Sequence, residues 1–122
     1  VLTLAEEIAA VPAPTGEEEL HTAFVRDRMA ALPFDGIEVD DIGNVVGRLQ
    51  GLSPTPQLLI AAHIDTVFPM NTRLVISNDA KRSYGPGIGD NCLGIAAAML
   101  IPSMLEAARV VPVMSPSGMF RR

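Results

Sequence analysis

The sequence has few of the residues that build disulfides, nucleic-acid interfaces or membrane spans. Cys92 is the single cysteine in 122 residues, which excludes an internal disulfide and a cluster of thiolate zinc ligands. Nine Lys and Arg residues against fourteen Asp and Glu residues give a net charge of −5, so no basic surface for nucleic acid or for a membrane is expected. No uninterrupted apolar run reaches the roughly 18 residues of a membrane span. These absences favour a reduced, cytoplasmic protein.

The N-terminal third of the chain predicts two helices. Hydrophobic residues make up 48% of the sequence, which suits a globular core. Apolar side chains recur at helical spacing over residues 2–11 and again in a segment that ends near Leu32. Thr15 and Glu18 have the spacing of a capping box at the start of the second helix. His21 lies in that helix among charged residues, where we expect it on the surface.

Strand-like segments follow the two helices. Residues 37–40 and 45–49 are short and flanked by turn residues. Residues 58–62 form a continuous apolar run, which predicts a strand covered on both faces. Helices that alternate with strands indicate an α/β layered domain.

The C-terminal third is apolar and then loses its pattern. From Asn91 to about Ala108 the chain is apolar almost all round, which predicts a helix buried between layers. Pro102 should kink this helix or end it early. Beyond Ala108 the sequence has no periodicity. We therefore expect residues 1–108 to form the N-terminal portion of one domain, and residues 109–122 to form an irregular tail.

One candidate site motif follows the apolar strand, in the segment Ala-Ala-His63-Ile-Asp65-Thr-Val. The carboxyl ends of strands in open α/β sheets are where ligands bind. Imidazole is the commonest protein ligand for metals, and a carboxylate beside it fixes its tautomer. The competing interpretations are an unliganded His at a strand end and an Asp that only caps a turn.

A second motif is the glycine-rich segment Gly-Pro-Gly-Ile-Gly-Asp90-Asn, which leads into the apolar helix. Its three glycines let the backbone approach a ligand or a neighbouring segment closely. Asp90 as a simple helix N-cap is the competing interpretation. Phosphate binding is not favoured, because the Gly-Lys-Ser/Thr ending is absent and a carboxylate stands where phosphate would bind.

In this order and spacing the motifs resemble the family of co-catalytic zinc aminopeptidases, carboxypeptidases and deacylases. That family includes peptidase T, glutamate carboxypeptidase, acetylornithine deacetylase and succinyl-diaminopimelate desuccinylase. The resemblance covers about residues 4–105 and also includes the segments 12–18 and 41–44. It implies the N-terminal part of a catalytic domain, with a mixed sheet flanked by helices, and without the C-terminal half or the lid and dimerisation domain.

The resemblance also implies roles for three residues. His63 would be a ligand of one metal, and Asp90 would be the carboxylate that bridges two metals. Asp65 would be the catalytic-site residue that orients them. The implied cofactor is zinc, two ions per complete site, with cobalt or manganese as alternatives. The implied reaction is hydrolysis of an amide bond in a short peptide or an N-acyl amino acid by a metal-activated water.

The chain departs from this family after Asp90. Only one acidic residue, Glu106, follows it, and no further His does. The general-base Glu and the later metal ligands are therefore missing, which predicts an inactive fragment, truncated or frame-shifted near residue 108. The alternative is a non-catalytic module that self-associates through an exposed sheet edge.

Overall fold

A computed structural model describes residues 1–121, apart from the side chains of Pro56, Ser117 and Arg121. Two helices are followed by five strands, a third helix and a final strand. A wide helical turn at Ile88–Cys92 leads into the last helix, and Asp90 in that turn has non-helical dihedral angles. The elements are α1 (Leu2–Ala9), α2 (Glu19–Ala30), β1 (Gly36–Val39), β2 (Val45–Arg48), β3 (Ser53–His63), β4 (Ser77–Asn78), β5 (Ser83–Tyr84), α3 (Leu93–Ala108) and β6 (Met114–Arg121).

The two N-terminal helices confirm the sequence prediction. α1 turns Leu4 and Ile8 inward, and α2 turns Val25 and Met29 inward. Each pair is four residues apart and therefore lies on one face of its helix. Both faces join one apolar core with α3 and the sheet, to which β6 contributes the fully buried Phe120.

The capping box predicted for α2 is not formed. The helix begins at Glu19, with Glu18 at its N-cap position and no side-chain hydrogen bond to a free helical N–H. The Glu18 carboxylate accepts a hydrogen bond from the backbone N–H of Gly16, at 2.5 Å. The hydroxyl of Thr15 donates instead to Asp65, which lies far along the chain. A long-range partner has therefore replaced the local one.

The prediction that His21 lies on the surface is wrong. Its exposed fraction is 1%. The reason is helical geometry: His21 lies one turn before Val25, on the face that packs inward. Of the charged residues nearby, Glu17, Glu19 and Arg26 are exposed, whereas Glu18 is buried like His21.

The four-stranded sheet has the order β1-β2-β6-β3. β6 pairs antiparallel with β2 and parallel with β3, which confirms a mixed sheet. Within the described residues β3 is an edge strand, and Leu58 and Leu59 on it are 44% and 57% exposed. The prediction that this run is covered on both faces is therefore wrong, because these two successive side chains point to opposite faces of the sheet and both are largely exposed.

The prediction of an irregular tail over residues 109–122 is wrong for Met114–Arg121, which form the inner strand β6. Pro116 and Gly118 lower the local strand propensity, and pairing with β2 and β3 overrides it. The backbone carbonyl of Pro116 still accepts a hydrogen bond from the N–H of Leu49, at 3.0 Å. The division at residue 108 and the truncation or frame shift stay predictions.

Helix α3 continues past Pro102 to Ala108, so the predicted early end is wrong. It buries one face, which includes Ile95 and Met99, while Met104 is 62% exposed; it is not buried all round. By length and mean hydropathy the stretch Ile88–Ala108 could also cross a membrane. Of the 18 most apolar consecutive residues in this stretch, 33% are buried in this fold. Core helices of soluble proteins pass the same test, so this is weak evidence for a membrane span.

Candidate metal centre

The C-terminal end of β3 positions the first motif. His63 is the last residue of the strand, and Ile64 after it is buried, with 1% exposed. The next residues are held by the segment between α1 and α2: the N–H of Thr66 donates to the carbonyl of Ala13 at 2.6 Å, and the N–H of Thr15 donates to the carbonyl of Thr66 at 3.2 Å. The side chains of His63 and Asp65 therefore start from a backbone that is fixed on both sides.

The glycine-rich loop positions the second motif. Gly87 has a φ of +74°, a left-handed conformation that favours glycine. A Cβ at this position would lie 3.5 Å from the Thr66 methyl group, so the two loops are in close contact. The carbonyl of Gly87 accepts a hydrogen bond from the N–H of Cys92 at 3.1 Å. This turn brings Asp90 to the end of β3.

The three predicted site residues meet in the structure. His63 Nε2 lies 3.0 Å from Asp90 Oδ1. On the other side of the ring, His63 Nδ1 lies 3.2 Å from Asp65 Oδ1 and 3.1 Å from the Asp65 carbonyl oxygen. Asp65 Oδ2 in turn accepts a hydrogen bond from the Thr15 hydroxyl at 2.8 Å. Thr15, Asp65, His63 and Asp90 thus form one continuous chain of polar contacts.

The electrostatics of the imidazole follow from these contacts. Partial burial lowers the pKa of His63, but the hydrogen bonds to Asp90 and to Asp65 outweigh it and hold the pKa above its usual value. Both ring nitrogens face oxygen acceptors, so a proton on each is satisfied. A cation between His63 and Asp90 would take the place of the Nε2 proton, as metal binding generally does.

Cys92 is adjacent to the site but is a poor candidate ligand. It is buried, with 1% exposed, as expected for a small apolar residue. Burial, with a smaller contribution from the negative charge of Asp90, raises the pKa of Cys92 to about 11. Because metals bind the thiolate form, this raised pKa disfavours Cys92 as a ligand.

The site is a shallow recess of about 160 Å³. The side chain of Asp90 is 91% exposed, that of His63 45% and that of Asp65 28%. The carboxylate of Asp90 is therefore surrounded mainly by solvent, whereas that of Asp65 is also held by Thr15. The recess is lined by His63, Asp65, Thr66, Val67, Phe68, Gly87 and Asp90.

A divalent cation fits between His63 and Asp90. Zinc binds imidazole nitrogen and carboxylate oxygen at about 2.0–2.2 Å, so two ligand atoms on one tetrahedral ion lie about 3.3 Å apart. The two facing atoms are 3.0 Å apart, and the exposed carboxylate needs only a small movement. Residues 1–121 hold no group of three or more His, Cys, Asp or Glu side chains suited to a metal. They supply part of a shell that needs about three protein ligands.

Two residues that contact the segment around Asp65, Thr15 and His21, are not identified by the sequence patterns. The patterns predict a helix cap at Thr15 and a surface position for His21. The signal for His21 was its spacing of four from Val25 on the apolar face of α2. The partner of Thr15 was not readable from the sequence, because Asp65 is brought to it by the fold.

Solved structures of peptidases share this fold. Aminopeptidase PepT from Bacillus cereus superimposes with a TM-score of 0.80 at 17% identity, over 98% of this chain and 35% of that one. A tripeptidase from Staphylococcus aureus gives a TM-score of 0.77 at 21% identity, over 98% of this chain and 35% of that one. The fold is therefore that of the N-terminal part of a peptidase catalytic domain, as the resemblance implied.

Residues 44–115 match the model of Peptidase family M28, and the chain belongs to this family. A curated relative, the [LysW]-lysine hydrolase of Deinococcus radiodurans, is 37% identical over 113 residues, which are 88% of this chain and 30% of that protein. The chain thus spans about a third of the length of the relatives it matches. The expected membership of a metallopeptidase family of hydrolases is confirmed.

Proposed function

We propose that this chain supplies the first part of the active site of a metal-dependent hydrolase that cleaves amide bonds in short peptides or N-acyl amino acids. His63 and Asp90 are the metal ligands, with Asp90 bridging two ions, and Asp65 orients His63. Zinc is the proposed metal, with cobalt or manganese as alternatives.

The contact between His63 and Asp90 carries this proposal. The 3.0 Å approach of Nε2 to Oδ1 directs one nitrogen and one oxygen donor at the same point, at the mouth of an open recess. Nδ1 is occupied by Asp65, so Nε2 is the nitrogen that faces outward. Nitrogen and carboxylate donors are a set that suits zinc.

When bound, divalent ions supply the Lewis acidity that activates water and polarises the amide carbonyl. The residues of this chain orient that chemistry. Asp65 accepts a hydrogen bond from the Nδ1–H of His63 and so fixes both the tautomer and the plane of the ring. Thr15 donates to the second oxygen of Asp65 and restrains that carboxylate. The exposed Asp90 carboxylate has two oxygens available, as a bridging ligand requires.

The relatives support the substrate class but do not define it. The Deinococcus relative is a [LysW]-lysine hydrolase, and the two structural neighbours are an aminopeptidase and a tripeptidase. The chain covers about a third of the length of these proteins. The proposed amide hydrolysis is therefore the activity of a complete hydrolase of which this chain supplies one part. We expect no appreciable hydrolysis from these 122 residues alone, since the general base is missing from them.

Isothermal titration calorimetry with zinc tests the proposal. The purified chain should bind zinc weakly, and His63→Ala and Asp90→Asn should each abolish measurable binding. Asp41→Asn, an exposed carboxylate in the β1–β2 turn, is the matched control and should leave the affinity unchanged. Equal binding by the wild type and both site variants would overturn the proposal.

Self-association and a cytoplasmic location are accompanying proposals. Within the described residues the outer edge of β3 has no strand partner, which supports the first. The single buried thiol of Cys92 is compatible with a reducing compartment. A monodisperse monomer in sedimentation velocity would refute self-association, and fractionation of the source cells would test the location. Membership of a peptidase family does not favour the alternative, a non-catalytic interaction module derived from the same fold.

A further inference from the structure

His21 is a polar side chain in the apolar interior. It lies on α2 with 1% of its surface exposed. Its Nδ1 lies 2.7 Å from the backbone carbonyl oxygen of Ile64. Among the described residues, its Nε2 is the one buried side-chain nitrogen or oxygen atom with no hydrogen-bond partner.

The Ile64 carbonyl lies between two residues of the candidate metal centre. It belongs to the peptide unit that joins Ile64 to Asp65, directly after His63. Only an N–H can donate to a carbonyl, so the proton of the neutral ring is on Nδ1. Burial lowers the pKa of His21 more than this hydrogen bond raises it, so the ring is neutral at pH 7.

We propose that His21 is a positioning residue, which sets the orientation of the Ile64–Asp65 peptide by donating from Nδ1 and so aligns Asp65 with His63. This inference rests on the proposed function. Asp65 contacts the His63 ring through both its carboxylate and its own carbonyl, at 3.2 Å and 3.1 Å. A rotation of the preceding peptide moves both oxygens together.

The unpartnered Nε2 argues that His21 does more than fill space. A buried nitrogen without a partner costs free energy that an apolar side chain of similar size would avoid. Packing alone would therefore be served at least as well by leucine. What histidine supplies and leucine does not is the Nδ1–H directed at Ile64.

The segment is held from its other side by different contacts. Thr66 donates through its backbone N–H to Ala13, and Thr15 donates to Asp65. These bonds fix the part of the loop that follows Asp65. His21 restrains the peptide that precedes Asp65. Without His21 that peptide has one hydrogen bond fewer, while the rest of the loop keeps its contacts.

Two substitutions of His21 separate positioning from packing. His21→Leu removes the donor, and we expect zinc affinity to fall by up to about 10-fold, the lower end of the effect of losing an outer partner at a metal site. Removal of the unpartnered Nε2 and loss of the donor to the Ile64 carbonyl oppose each other, so we expect the stability of this variant to be close to that of the wild type. His21→Asn places an N–H near the position of Nδ1 and should restore the affinity. Val25→Ala, on the same face of α2, is the control, with lower stability and unchanged affinity.

Nuclear magnetic resonance makes the test independent of the metal. In the metal-free chain a coupling across the hydrogen bond should connect His21 Nδ1 to the Ile64 carbonyl. The amide signals of His63 and Asp65 should shift in His21→Leu and return in His21→Asn. Unshifted signals, or a zinc affinity that follows stability in all variants, would overturn the inference. A wild-type chain that shows this coupling but binds no zinc would refute the proposed function and leave the hydrogen bond established.

Discussion

Replacing Thr15 with valine removes the hydroxyl that restrains Asp65 and keeps the shape of the side chain. The lost hydrogen bond is 2.8 Å long and ends on a carboxylate. Hydrogen bonds to charged groups contribute about 1.5–3 kcal/mol. Asp65 is 28% exposed, so water replaces part of the bond, and we expect a loss of about 1 kcal/mol in the free energy of unfolding.

The same change should weaken metal binding. If the whole of about 1 kcal/mol is transmitted to His63, the zinc dissociation constant rises about fivefold, since 1.4 kcal/mol corresponds to a factor of ten. Urea denaturation measures the free energy of unfolding, and isothermal titration calorimetry measures the zinc dissociation constant. Thr15→Ser, which keeps the hydroxyl, should retain most of both.

Thr55→Val is the matched control, because Thr55 is an exposed residue of β3. It should change stability and zinc affinity little. If Thr15→Val and Thr55→Val have the same small effects, the chain of contacts from Thr15 through Asp65 to His63 does not support the site.

Three other predictions follow from the fold. Phe120→Ala should destabilise the chain by about 3–5 kcal/mol in urea denaturation, because Phe120 is fully buried; an effect no larger than that of exposed Val113→Ala would contradict the assignment of β6 to the core. Gly87→Ala should cost about 1–2 kcal/mol in the same assay because its φ is positive, whereas Gly89→Ala, with open space around it, should cost less. The pKa of His21 is lowered in the fold, so its contribution is fully present above about pH 6.5. That contribution is lost as pH falls below this value, by up to about 1.4 kcal/mol per pH unit, because the unfolded chain takes up the proton first. The free energy of unfolding of His21→Asn, measured by urea denaturation across pH 5–8, should lack this decrease at low pH. The same decrease in the variant and the wild type would contradict the prediction.

The candidate site was predictable because its residues follow strong local signals. His63 and Asp65 follow an apolar strand, and Asp90 ends a glycine-rich loop before an apolar helix. Each signal is contained in a short segment. The fold then brings the two segments together at one end of β3, where ligands of α/β proteins bind.

The features that the sequence did not predict depend on contacts between distant segments. β6 contains Pro116 and Gly118, which weaken any strand pattern, and it is a strand because β2 and β3 pair with it on both sides. Thr15 has a good local partner at capping-box spacing and binds Asp65 instead. The exposure of Leu58 and Leu59 likewise depends on what packs over β3, which an apolar run alone does not reveal.

The most direct test of the metal centre is to identify the nitrogen of His63 that binds zinc. Nitrogen-15 spectra of the histidine side chains, recorded during titration of the chain with zinc, report the two ring nitrogens separately. Because Asp65 holds Nδ1 and Asp90 faces Nε2, Nε2 should take the coordinated shift while Nδ1 stays protonated, and Asp90→Asn should reduce the effect. Coordination through Nδ1, or spectra that zinc does not change, would contradict the account.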